Sequence, residues 1–165
     1  MVIKQSLLLE LDKETANTRR VVERLRDEQL DWRPHSKSMT LGELSAHVVE
    51  LHNWVSKALC KGVFDFKADY TPFKPTSVAD IATALESGYL LNKASIEAST
   101  DASWGDEWTL KAGDWVIAQM PKAGAIRFII NNHLVHHRGQ LTVYLRLLDI
   151  PVPGLYGPSA DEANG

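Results

Sequence analysis

Residues 131–141, NNHLVHHRGQL, place three histidines within five consecutive positions of a segment with helical periodicity. An α-helix turns about 100° per residue, so their directions can be worked out. Ile126, Ile129, Ile130, Leu141, Tyr144 and Leu148 mark the expected apolar stripe of this last helix. His133 and His137 fall within about 30° of its mean direction, and His136 lies about 90° away on its flank. The spacing therefore predicts two histidines pointing inward, four residues apart on one face. A single inward histidine is ordinarily a core residue satisfied by hydrogen bonds. Two on one stripe put a shared metal ion on an equal footing with that reading, because each buried imidazole needs a partner.

Upstream of this helix, three more amphipathic segments can be traced. Residues 3–26 carry Leu7, Leu11, Thr18, Val22 and Leu25 on one face. DEQLDWRPHSKS then breaks the period. TLGE, starting at Thr40, has the form of a capping box and opens a helix over about residues 41–60, burying Leu41, Leu44, Val48, Leu51 and Val55, with Gly62 as its stop. Residues 61–76 hold aromatics and two prolines without a helical period. Ser77 with Asp80 caps a third helix running to about residue 98, its inner face carrying Val78, Ile81, Ala82, Leu85, Tyr89 and Ile96. Between 101 and 121, EWTLKAGDWVI is either a small hairpin turning at Gly113 or a loop pinned by Trp104, Trp108 and Trp115. Pro121 suits the first turn of the last helix, over about 121–148. The expectation is an all-α four-helix bundle with long connections, one domain over residues 1–165. The terminal SADEANG is expected to fray.

Composition narrows the function. The 165 residues are 44% hydrophobic and 24% charged, near the average for a globular protein. The opening MVIKQSLLLELDK is too short to span a membrane and lacks a cleavage site, so a cytoplasmic protein is expected. Cys60 is the single cysteine, which excludes an intramolecular disulfide and a thiolate metal cluster. Net charge is −3, and Arg19, Arg20, Arg24 and Arg26 are interleaved with Glu14, Glu23, Asp27 and Glu28, a solvated face rather than a nucleic-acid footprint. There is no HExxH, no Glu-x-x-His repeat and no glycine-rich nucleotide loop. Ser45 near His47 does not amount to a nucleophile–base pair.

A metal at His133 and His137 needs a third donor. His47 and His52 flank the apolar face of the second helix at about 70° on either side, and His35 lies in a connection. Periodicity does not choose among them.

TLGELSAHVVELHNW (40–54) and NHLVHHRGQLTVYLRLLDIPVPGLYGPSADE (132–162) resemble the DinB/YfiT-like family of metal-dependent helical-bundle proteins, over nearly the whole chain. The resemblance implies that His47, His133 and His137 are the three metal ligands and that His136 and His52 are not. It further implies a divalent ion such as nickel or zinc, a small-molecule substrate and a homodimer. Some relatives transfer a low-molecular-weight thiol. Three imidazoles leave a coordination position open, which suits a thiol transferase, with a metal-dependent hydrolase or a non-catalytic metal-binding domain as alternatives. Gln140 and Tyr144 continue the stripe beyond His137, as pocket-lining residues or as ordinary members of the core rim. No catalytic residue is identified.

Overall fold

The computed structural model describes residues 2–162. Three long helices, α1 (Ile3–Val22), α2 (Leu41–Lys57) and α4 (Val78–Ala98), are joined by a fourth helical run near the C-terminus. That run is continuous from α5 (Lys122–Ala125) through a π-helical stretch, Ile126–Asn131, into α6 (Asn132–Leu147). A four-residue helix, α3 (Phe66–Asp69), lies in the connection between α2 and α4. α2 sits centrally, packed on both α4 and α6, with α1 against α4. No helix among the described residues is long and apolar enough to cross a membrane.

Both predicted caps form. The Thr40 hydroxyl accepts from Glu43 N–H at 3.1 Å while the Glu43 carboxylate accepts from Thr40 N–H at 2.7 Å. Ser77 and Asp80 reciprocate in the same way, both at 3.1 Å. Each pair satisfies two of the amide groups that a helix start leaves without partners.

The expectation of a pure four-helix bundle is overturned by a three-stranded mixed sheet: β1 (Val63–Asp65), β2 (Glu107–Ala112) and β3 (Trp115–Pro121). β2 and β3 form the hairpin, turning at Gly113, whose φ of 66° explains the glycine. β1 adds in parallel to β2, pairing Val63 with Thr109 and Asp65 with Lys111. Three residues cannot display a period, and their hydrogen-bond partners lie far along the chain. The segment therefore carries no local strand signal. The sheet earns its place through burial: Trp108 is completely buried and its indole N–H donates to the Ala58 carbonyl at 3.1 Å, closing the end of α2. Trp104 is also buried, donating to Ser99 Oγ at 2.8 Å, whereas Trp115 is 70% exposed on β3 and pins nothing. Pro121 ends β3 and precedes the helix rather than opening its first turn.

Two apolar clusters fill the interior. One gathers Leu7, Leu11, Val55, Ile96, Trp108 and Ile130 beside the sheet; the other gathers Val22, Leu44, Val48, Leu85, Leu134 and Leu145. Glu14 and Thr15 on α1, His52 and Asn53 on α2, and Asn92 on α4 lie buried between them along their helices. The C-terminal segment is tied down rather than frayed as far as Glu162: Ser159 donates to the Val152 carbonyl, and Asp161 accepts from Arg146 and from Val152 N–H. The rest of SADEANG, residues 163–165, lies outside the described residues.

Candidate metal centre

The π-helical stretch sets which side of α6 is buried. A π turn takes in more residues than an α turn, so the faces before and after it no longer follow one 3.6-residue period. The buried positions run Ile126, Ile130, Leu134, Arg138, Leu141 and Leu145. Leu134 and Arg138 thus occupy the stripe centre that the uniform period assigned to His133 and His137. Those two histidines stand on the adjoining flank, His133 exposed and His137 half-buried. The expected inward pair is a rim pair.

That flank meets α2, and the meeting point is His47. One ring nitrogen from each of His47, His133 and His137 lies within 4.8 Å of the others. His47 stacks edge-on to both, with ring centroids 5.1 Å from His133 and 4.7 Å from His137. The Nε2 atoms of His133 and His137 are 2.8 Å apart. On the far side of the His137 ring, Nδ1 lies 2.7 Å from Gln140 Oε1, an acceptor that places the ring proton on Nδ1 and leaves Nε2 with its lone pair facing the centre. His133 is held well below the ordinary histidine value, at about 4, first by partial desolvation of its ring among its neighbours and then by the nearby His137, His47 and His136 imidazoles. Burial likewise lowers His137, against the opposing hydrogen bond to Gln140. Both shifts favour the neutral ring, the state in which imidazole can donate to a cation.

The other candidates are elsewhere. His136 is exposed beside His137 and outside the cluster. His52 is buried in the polar layer, 2.8 Å from Thr15 Oγ1 and 2.9 Å from Asn53 Oδ1, and burial lowers its pKa. His35 accepts from Lys37 N–H in its own turn. Gln140 touches the cluster through His137, whereas Tyr144 packs edge-on to Trp32 at 5.5 Å and donates its hydroxyl to the Met39 carbonyl at 3.3 Å. Cys60 is exposed in the turn after α2 and takes no part.

Two residues of the surroundings escaped the sequence. Glu50, one turn beyond His47, directs Oε2 toward His47 Nδ1 at 3.8 Å. Arg138 is buried beside His137 and binds the Glu14 carboxylate, the Glu14 carbonyl and Thr18 Oγ1, the last two at 3.0 and 2.9 Å. An i, i+3 acid after a ligand candidate was the available signal for Glu50. Arg138 offered none. His47 also lines an open cavity of about 720 Å³ together with Arg33, Met39, Glu43, Tyr70 and Lys74. A second cavity of about 280 Å³, walled by Trp54, Phe64 and Lys57, shares Glu50, Tyr70 and Phe73 with the first.

Helices crossing at three converging imidazoles, with a small accessory sheet closing one end, define a helical protein with an open nitrogen-donor cluster. The chain belongs to the DinB family, whose model matches residues 1–164. It is 31% identical over 145 residues to the uncharacterized protein YrdA of Bacillus subtilis strain 168, covering 88% of this chain and 83% of that one. Its fold resembles the crystal structure of a DinB-like protein from Bacillus cereus ATCC 10987, with a TM-score of 0.73, 26% identity, and 92% and 97% of the two chains covered. A DinB-like protein of Bacillus subtilis, YjoA, gives the same TM-score of 0.73 at 15% identity, covering 93% of this chain and 99% of that one, a likeness of fold.

Proposed function

We propose that this protein holds a divalent metal ion, nickel or zinc, at His47, His133 and His137, and that it transfers a low-molecular-weight thiol to an electrophilic small molecule. The carrying observation is the convergence of three imidazole nitrogens within 4.8 Å beside a cavity of about 720 Å³. The donor set fits such an ion: three imidazole nitrogens and no thiolate, leaving a position for an exogenous ligand. His133 and His137, their Nε2 atoms 2.8 Å apart, together with His47 from α2, would hold the ion. When bound, the ion would act as a Lewis acid that eases loss of a thiol proton near neutral pH.

The chain's own residues supply the rest. Gln140 fixes the tautomer of His137, and the buried Arg138 next to it holds the rotation of α6 that turns both histidines toward α2. The cavity beside His47 is large enough for a drug-sized ligand. In the transfer the S–H bond breaks and its proton passes to solvent, while a sulfur–carbon bond forms as the bond from that carbon to its leaving group breaks, the leaving group departing with the electron pair. We further propose that the protein acts as a homodimer.

Elemental analysis of untagged protein, followed by consumption of a model electrophile with a panel of small thiols, tests the proposal. About one ion per chain and thiol-dependent turnover are expected. Stoichiometric metal without turnover would remove the transferase part, and absence of metal under zinc or nickel titration would remove both.

A further inference from the structure

On α6, His137 has an acceptor for the side of its ring turned from the centre, Gln140 Oε1 at 2.7 Å. For His47 the group in that place is Glu50. Its side chain is only 13% exposed, and its carboxylate is fixed from outside α2. Oε1 accepts from Phe73 N–H at 2.6 Å, and the Tyr70 hydroxyl lies 3.2 Å from both oxygens. Burial, and then the Glu50 charge, raise the Tyr70 pKa, so the hydroxyl keeps its proton and remains a donor. A carboxylate offers about four acceptor positions, and Oε2 keeps one unused, facing His47 Nδ1 at 3.8 Å. That is ion-pair reach and longer than a hydrogen bond, as such contacts commonly are before a site is loaded.

We propose that Glu50 is the positioning residue for His47, accepting from its Nδ1–H so that Nε2 faces the centre, and that Tyr70 and the Phe73 amide hold Glu50 in that attitude. This rests on the metal proposal above. Its consequence is that the connection between α3 and α4, whose Tyr70 and Phe73 line both cavities, is mechanically joined to the centre. An acceptor on the outer nitrogen raises the basicity of the inner one and fixes the ring, and removing such a partner typically weakens a metal site by roughly 10- to 100-fold.

Glu50→Gln is the sharp test. Its oxygen stays with Phe73 N–H, where an amide NH₂ would meet another donor, so the NH₂ turns to His47 Nδ1. That stabilises the tautomer with its proton on the inward nitrogen. Full-length wild type, Glu50→Gln, Glu50→Ala, Tyr70→Phe and His47→Ala would be titrated with zinc against a competing chelator and with cobalt(II) followed by visible absorption. Metal-free melting of each gives the structural contribution separately. Zinc affinity should fall roughly 10- to 100-fold in Glu50→Gln and Glu50→Ala, by less in Tyr70→Phe, with a changed cobalt spectrum in each. Wild-type affinity and spectrum in Glu50→Gln, with only the melting temperature lowered, would make Glu50 a structural anchor and overturn the proposal. Loss as complete as in His47→Ala would make it a ligand and overturn it equally. If the wild type binds neither ion, the metal proposal itself fails.

Discussion

Replacing Arg138 by methionine should be among the most damaging single substitutions away from the histidines. The guanidinium side chain is 1% exposed and its partner carboxylate, on Glu14, 12%. Arg138 binds that carboxylate, the Glu14 carbonyl at 3.0 Å, Thr18 Oγ1 at 2.9 Å and the Tyr156 hydroxyl. Methionine fills much of the volume but leaves the Glu14 carboxylate with one remaining donor, Tyr156 at 2.8 Å. Removing one member of a buried pair costs about 3–5 kcal/mol, mostly because the other charge is left uncompensated. For a chain of this size that is a fall in melting temperature of roughly 6–20 °C. A control follows from the same physics. Arg138→Met combined with Glu14→Gln should recover much of the loss, since no orphan charge remains. Urea denaturation of wild type, Arg138→Met, Glu14→Gln and the double mutant at pH 7 gives the cycle. A loss below about 1 kcal/mol, or a double mutant no better than the single, would refute the assignment of Arg138 and Glu14 as a coupled buried pair.

In the metal series, alanine at His47, His133 or His137 should sharply reduce ion occupancy, while His136→Ala and His52→Ala should retain it; full binding by His137→Ala in a calorimetric titration would sink the ligand assignment. Gly88→Ala should lower the urea midpoint, because a Cβ there would lie 1.7 Å from Asn53 Oδ1, which is held by His52. Overpacking of about 1–3 kcal/mol outweighs the roughly 1 kcal/mol that alanine gains in helix propensity. A stabilised Gly88→Ala would show that Asn53 swings away freely. For pH, His133 and His137 have folded pKa values below the ordinary 6.5, at about 4 for His133, and His52 is lowered too. The unfolded chain therefore binds these protons first. Stability of the metal-free protein from this source is complete above pH 6.5 and falls as pH drops from 6.5 toward 4. Acid titration of the denaturation midpoint in wild type and His52→Gln checks this, and a midpoint flat across that window would count against it.

The long helices were legible because their signals are local. A capping box at Thr40 or Ser77 needs only four residues, and an apolar period needs a few turns. What stayed hidden depends on partners distant in sequence or on a change of period. β1 exists because β2 is beside it, so Val63–Asp65 carries no mark of its own. The choice between His47 and His52 was symmetric on the helix wheel, and the two flanks of α2 meet different neighbours. His52 faces two other helices: its ring lies 2.8 Å from the Thr15 hydroxyl of α1, and its carbonyl accepts from the Asn92 amide of α4 at 2.7 Å. His47 faces α6.

The π-helical stretch explains the remaining error, and also why the site is open. A uniform period through Ile126–Leu148 sends His133 and His137 to the buried centre, where three imidazoles would be enclosed and would exclude a substrate. With the phase shifted at Ile126–Asn131, Leu134 and Arg138 take the buried positions and the histidines move to the rim. Arginine was unreadable there, since a charge in a helix normally marks the solvent side and its burial requires Glu14 and Thr18 on α1 to be waiting. The two surprises are one device. Arg138, adjacent in sequence to His137, is drawn inward by α1, and this turns its neighbour outward toward α2, to the wall where His47 borders the cavity. The buried ion pair thus gives α6 a specific rotation rather than merely adding stability, and Arg138→Met should therefore weaken metal affinity as well as folding. Ion binding by a still-folded Arg138→Met protein at wild-type strength would separate the two effects and show that the π-helical stretch alone aims the histidines.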